Sequence, residues 1–242
     1  MDFTLKKYKE LLVALKGYGE VTLRHDVDRK PQNSLKTARI EHELGLKAVY
    51  YFRATSHGWD EDVIREIGAL GHEIGYHYES LATCHGDLEA AYRDFCDHLE
   101  SLRSLATVTS ICMHGSPKSK WDSRVLWKHY DYHQLGIVFE PYLDTDFSQV
   151  FYLTDTGRRW DGFKVSVRDK IPVYQEQWID RGWVYHHTDE VIRAIKASEF
   201  PKKAMITTHP QRWTDDPVQW LYELLCQSVK NVAKRALIKK KM

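Results

Sequence analysis

Cysteine is scarce in this chain. Cys84, Cys96, Cys112 and Cys226 form no CxxC pair and no close cluster, which excludes a disulfide framework and a structural zinc knuckle. They read as core or near-surface thiols. Long apolar runs are missing too: nowhere do about 18 apolar residues follow one another, so a membrane-spanning helix is excluded. The N-terminal MDFTLKKYKELLVALKGYG lacks the apolar core and small-residue cleavage site of a secretory signal, so the expected location is cytoplasmic. Nor is there an excess of one charge, with 35 Lys and Arg against 34 Asp and Glu. No broad field therefore favours nucleic acid or an anionic membrane, and affinity must come from a local site. What remains is a chain of 242 residues, 43% of them hydrophobic, long enough to bury a core without staples and expected to form one α/β domain over residues 1–242.

The chain alternates short apolar runs with helical periodicity. Val21–His25 reads as a first strand, followed by Pro31 at the start of a helix that runs through Leu35, Ala38 and Leu44 to Gly45. Lys47–Phe52 is a second strand, and Asp60 caps a helix through Val63, Ile64 and Ile67. His72–Tyr76 is a third strand. A helix from Asp87 carries Leu88, Ala91, Phe95, Leu99 and Leu102 on one face. Val108–Met113 is a fourth strand. Apolar runs follow at Gly136–Phe139 and Phe151–Leu153, then a polar stretch rich in Trp and Arg, a helix over Thr188–Ser198 and a strand over Ala204–Thr208. Asp216 and Pro217 open a last helix with a stripe of Val218, Leu221, Leu225 and Val232, ending in a basic tail of Lys234, Arg235 and Lys239–Lys241 that reads as a solvated helix end. Such alternation implies a mainly parallel sheet, open or closed into a barrel, with ligands bound at the carboxyl ends of its strands.

Polar residues collect where that rule demands them. The strand ends read Arg24-His-Asp-Val-Asp28, Tyr76-His-Tyr-Glu79, His114-Gly-Ser-Pro117 and Thr208-His-Pro210. Two carboxylates and three histidines thus reach one rim. A mixed Asp/His set suits zinc first, with cobalt, nickel, manganese or iron as alternatives, better than calcium or magnesium. One acid of a DxD can bind metal while the other takes a proton. His72 precedes its strand, and alternation points His25 away from the DxD face, so both read as structural.

The blocks RHDVDRKP, GHEIGYHYE, CMHGSP and ITTHP, in that order over roughly residues 20 to 215, resemble the polysaccharide deacetylase superfamily, the NodB-homology or carbohydrate esterase family 4 group. HDVD and GHEIG-x-H resemble its intracellular or envelope-biosynthesis branch. The resemblance implies a distorted (β/α) barrel of about seven mainly parallel strands. It also implies removal of an acetyl group from an N-acylated amino sugar or glycan precursor by water activated on one divalent ion. It assigns Asp26 as catalytic base, Asp28 and His77 as metal ligands, and His209 as general acid. The family's second block carries a further ligand histidine four residues after the first, and here that position is Leu81. His114 is the expected replacement, with Glu79 the second choice and otherwise a substrate contact. Leu153–Trp160 resembles another segment near the family's active site. An arginine there would orient Asp26, and Arg158, Arg159 and Trp160 would meet substrate. Trp213 either walls the pocket or packs in the core.

Two other readings compete. A DxD glycosyltransferase would use Asp26 and Asp28 but leave the histidines without work. A carbohydrate-binding pseudoenzyme would keep the barrel and lack the metal. Oligomeric state is not written in the sequence.

Overall fold

The computed structural model describes residues 1–116, 118–166 and 168–239, with side chains described as far as Lys234. Pro117 of the fourth strand-end block, Lys240 and Lys241, and the side chains of Arg235 and Lys239 therefore fall outside the described residues. Six strands form one sheet: β1 Glu20–Val27, β2 Val49–Phe52, β3 Glu73–Tyr78, β4 Ser110–Met113, β5 Phe151–Thr154 and β6 Lys203–Thr208. Every pairing is parallel, in the order β4-β3-β2-β1-β6-β5. The sheet curls into a half-barrel with flanking helices, the distorted barrel expected. Where about seven strands are implied, the apolar run before Glu140 contributes a single bridge, Ser110 to Phe139, beside β4.

The helices are α1 Leu5–Leu15, α2 Pro31–Glu43, α3 Glu61–Ala69, α4 Ser80–Thr83, α5 Leu88–Arg103, α6 Pro141–Asp144, α7 Pro172–Asp180, α8 Thr188–Lys196 and α9 Pro217–Lys239. Their starts follow local chemistry. Asp60 accepts from the Val63 amide at 3.2 Å, Asp87 from Ala90 at 3.0 Å and Asp216 from Val218 at 2.8 Å, each satisfying an amide with no partner inside its helix. Among the described residues no helix is long and apolar enough to cross a membrane.

β2 is buried along its whole length, as expected of a strand covered on both faces. β1 carries ionic groups on both. Arg24, Asp26 and then Asp28 lie to one side, the two acids lining a cavity at the strand ends, while His25 turns the other way, with Nε2 at 2.7 Å from Glu41 Oε1 and Nδ1 at 2.7 Å from Thr208 Oγ1. Tyr50 donates to the same Glu41 at 2.7 Å, and Tyr8 does so as well. Burial works to raise the Glu41 carboxyl, but His25 and the two phenols hold it below its ordinary value. His72 Nδ1 accepts from the Ala48 amide and Nε2 meets the Ala38 carbonyl. Both histidines are held in structural contacts, His72 just before β3 and His25 on the face that alternation gives it.

α9 overturns one expectation. Its apolar stripe is exposed, with Val218 at 78% and Val232 at 69%. The inward face is polar instead: Glu223 pairs with Lys30, and Asn231 donates to the Gly157 carbonyl. The helix therefore packs on polar cavity wall and leaves its apolar residues outside.

Two stability predictions arise here. A Cβ on Gly75 in β3 would overlap the ring of Tyr51, which is fully buried and cannot swing into solvent. Gly75→Ala is expected to cost about 2 kcal/mol of unfolding free energy, and an unchanged urea midpoint would show that the ring has room to move. Glu140 caps α6 and accepts the Met113 amide at 2.9 Å. Burial pushes its carboxyl from 4.5 up to about 7, against backbone donors and Arg24. Folding thus favours the protonated acid, and this contribution is full below the unfolded value and lost as pH rises through about 7. Between about pH 5.5 and about pH 8 the loss comes to about 2 kcal/mol. Glu140→Gln should flatten that slope, and equal slopes in urea melts at the two pH values would refute it.

Candidate active site

Taken from its far edge the sheet runs β5-β6-β1-β2-β3-β4, a single direction of advance as in an opened barrel, and such barrels bind at the carboxyl ends of their strands. A cavity of about 570 Å³ lies there, with Asp26, Asp28, His77, His114 and His209 in its lining. All five residues predicted for the chemistry thus meet in one place, delivered by β1, β3, β4 and β6.

His77 and His114 both aim Nε2 at one atom, Asp28 Oδ1, at 3.6 and 3.5 Å. Their other nitrogens are tied back. His77 Nδ1 meets the Cys112 carbonyl at 2.9 Å, and His114 Nδ1 meets Glu79 at 2.8 Å. A nitrogen that donates backward leaves a lone pair on its opposite partner, which is how a metal-ligating imidazole is oriented. Burial holds the His77 imidazole down at about 4, against the pull of Asp26, so near neutral pH that lone pair is free. Asp28 is held well below the ordinary carboxylate range: burial raises it, but His114, His209, His77 and Arg53 more than offset burial.

Asp28 Oδ1 is nevertheless buried and has no hydrogen-bond partner among the described residues, an expensive arrangement for a carboxylate oxygen. A divalent cation would remove the cost. Ligands at roughly 2.0–2.1 Å on two corners of a tetrahedron lie about 3.4 Å apart, close to the separations of Asp28 from the two imidazoles. The donor set therefore fits a metal. Asp26, His77 and Cys112 also come within ligand reach of one another. That group fits worse, because burial keeps the Cys112 thiol protonated and both Asp26 oxygens are already taken.

They are taken by Arg24. Its Nε and Nη2 reach Asp26 Oδ1 and Oδ2, each at 2.8 Å, in a fully buried fork. The arginine expected from the Leu153–Trp160 segment thus comes from β1 itself, two residues before its partner. Alternation carried the signal, since positions 24, 26 and 28 share a face. His209 has a partner that sequence reasoning missed: Asp155, directly after β5, lies 2.7 Å from Nδ1. Burial and Arg212 push the His209 imidazolium down, but Asp155 outweighs them and the net shift is upward. Nε2 faces the cavity, 4.0 Å from Asp28 Oδ2.

Four residues offered as substrate contacts lie outside the cavity lining. Trp213 is fully buried and donates Nε1–H to Asp155 at 2.8 Å, so it braces the His209 partner from the core. Trp160 is buried beside Phe3 and donates to Thr188 at 2.9 Å. Arg159 forks onto Asp161 and borders a separate surface cleft, and Arg158 lies over the Trp220 ring. Glu79 is no ligand in this arrangement: besides His114 it accepts from Ser116 at 2.7 Å and from Arg53. Leu81 lies on α4 in the apolar core, and the imidazole of His114 occupies the rim in its stead.

No known family model matches the chain, and no curated protein matches it. Among solved structures, PdaA of Bacillus subtilis, a family 4 carbohydrate esterase, aligns over 91% of this chain and 83% of its own length, at 10% identity and a TM-score of 0.42.

Proposed function

We propose that the chain is a metal-dependent hydrolase that removes an acyl group, acetyl in the first instance, from the nitrogen of an amino sugar. The observation that carries this reading is the orphaned Asp28 oxygen facing two oriented imidazoles, with an acid–arginine pair on one side and an acid–histidine pair on the other. The four sequence blocks that resemble polysaccharide deacetylases support it independently.

In the proposed roles Asp28, His77 and His114 hold the ion, with zinc the best match to one carboxylate and two imidazoles. Bound there, a divalent ion would activate water at neutral pH and polarise the acyl carbonyl. Asp26 accepts the proton of the attacking water, and the Arg24 fork fixes the direction in which its oxygens point. As the carbon–nitrogen bond breaks, His209 gives its Nε2 proton to the departing amine. Asp155 keeps the other ring nitrogen protonated and favours the imidazolium before transfer. The products are a carboxylate and a free amino sugar.

The test is acetate release from a panel of N-acetylated sugars, before and after chelation, with elemental analysis of the purified protein. Chelation should abolish release and added zinc or cobalt should restore it. A protein that takes up no stoichiometric metal, even after incubation with zinc, would instead be a binding relative without catalysis.

A further inference from the structure

The cavity that holds the acids is rimmed by four cations that no carboxylate among the described residues neutralises. Lys118 lies in the segment after β4, Arg168 in the connection before α7, and Lys230 and Lys234 one turn apart on α9. Among the described residues none of the four has a carboxylate within ion-pair distance. Arg168 donates to the carbonyls of Gly115 and Ser119 at 3.0 Å each, which pins the segment carrying Lys118 but leaves the positive charge uncompensated. The carboxylates of the same cavity have other work: Asp26 is forked by Arg24, Asp28 belongs to the proposed metal site, and Asp169 accepts from hydroxyls that include Thr154 at 2.8 Å and Tyr142 at 3.1 Å.

The chain as a whole carries a net charge of only +1, so this concentration is local. It is also costly. Lysines four apart on a helix repel one another, and burial together with neighbouring cations draws both ammoniums downward, Lys230 by Arg29 and Lys234 by Arg212. Lys234 lines the same cavity as Asp169 and Asp28, and both acids pull its ammonium the other way. An unpaired cation at a cavity mouth raises the local concentration of an anion and can give it charge-assisted hydrogen bonds.

Resting on the deacylase reading above, we infer that the substrate is an N-acylated amino sugar carrying a phosphate or diphosphate, whose oxygens Lys118, Arg168, Lys230 and Lys234 bind while the acyl group lies over Asp26 and Asp28. Four cations match the multiple charge of a phosphate ester better than the single charge of a uronic acid. A nucleotide diphosphate and a prenyl diphosphate offer the same oxygens to this rim.

The experiment compares acetate release from UDP-N-acetylglucosamine, prenyl-diphosphate-linked N-acetylglucosamine, N-acetylglucosamine and N,N′-diacetylchitobiose, using the protein as purified and its Lys230→Gln/Lys234→Gln variant. At least one phosphorylated sugar should exceed the neutral ones in kcat/KM by roughly a hundredfold, and its KM should climb with salt as the rim is screened. Whichever phosphorylated arm leads identifies the source of the phosphate. In the double variant the ratio of phosphorylated to neutral kcat/KM should drop about tenfold, through KM rather than kcat. Release from neutral sugars at the same kcat/KM, insensitive to salt, would overturn the inference and leave the hydrolase standing. If no sugar releases acetate the hydrolase reading fails, and titration with UDP then decides the rim: saturable binding lost in the double variant supports it, and no binding overturns it.

Discussion

Asparagine in place of Asp28 is expected to reduce bound metal from stoichiometric to a trace and turnover by at least about a thousandfold, since several kcal/mol of transition-state stabilisation leave with the ion. Asp28 is the only anion of the proposed ligand set, and its Oδ1 is the atom on which both imidazoles converge. A neutral amide is a much weaker donor to a divalent ion, and two neutral histidines do not hold one alone. Alanine at His114 should behave alike. Glutamine at Glu79 should differ in degree, because it removes only the group that orients His114, and a loss of roughly 10- to 100-fold in metal affinity is then the expected scale. Elemental analysis and acetate release on the three variants separate these outcomes. Full metal in Asp28→Asn beside an empty Glu79→Gln would transfer the third ligand to Glu79.

The second large effect is at Asp26. Asp26→Asn should keep its metal and lose about 10²- to 10⁴-fold in turnover, the usual contribution of a positioned proton acceptor. Asparagine can still accept one bond from Arg24, but it presents an NH₂ to the other arm of a buried guanidinium. A stability loss of about 3 kcal/mol is therefore expected alongside. A melting curve and circular dichroism establish that the variant is folded at the assay temperature, and elemental analysis establishes that the centre is loaded. A folded, loaded and fully active Asp26→Asn protein would remove this residue from the chemistry.

Much of this site was legible because its determinants are local. A strand period of two assigns Asp26 and Asp28 to one face and His25 to the other, and the carboxyl-end rule gathers His77, His114 and His209 without any knowledge of packing. Arg24 and Asp155 were equally local, one two residues before its acid and one directly after its strand. The Arg158–Trp160 run is the more conspicuous signal in the sequence, yet its side chains lie outside the cavity lining. The tryptophans were not readable in this way: Trp160 and Trp213 are core residues because Phe3, from the far end of the chain, packs against both. The stripe on α9 misleads for a related reason, since periodicity reports that a helix has two faces and not which one meets the protein. Here the polar face does, because the wall it covers is the ionic cavity.

The two-sided ionic character of β1 has a consequence for how the chain reaches this state. A slip of one residue in its pairing with β2 or β6 would turn every side chain to the opposite face. In most parallel strands such an error exchanges one apolar residue for another and costs little. In β1 it would carry the Arg24–Asp26 pair over to the pocket of Glu41, crowding two carboxylates around one arginine, and would aim His25 into the cavity. Misaligned intermediates are thereby penalised by charge rather than by shape. Insertions or deletions within Glu20–Val27 should accordingly be the least tolerated in the chain, failing at the level of soluble yield before any question of turnover arises.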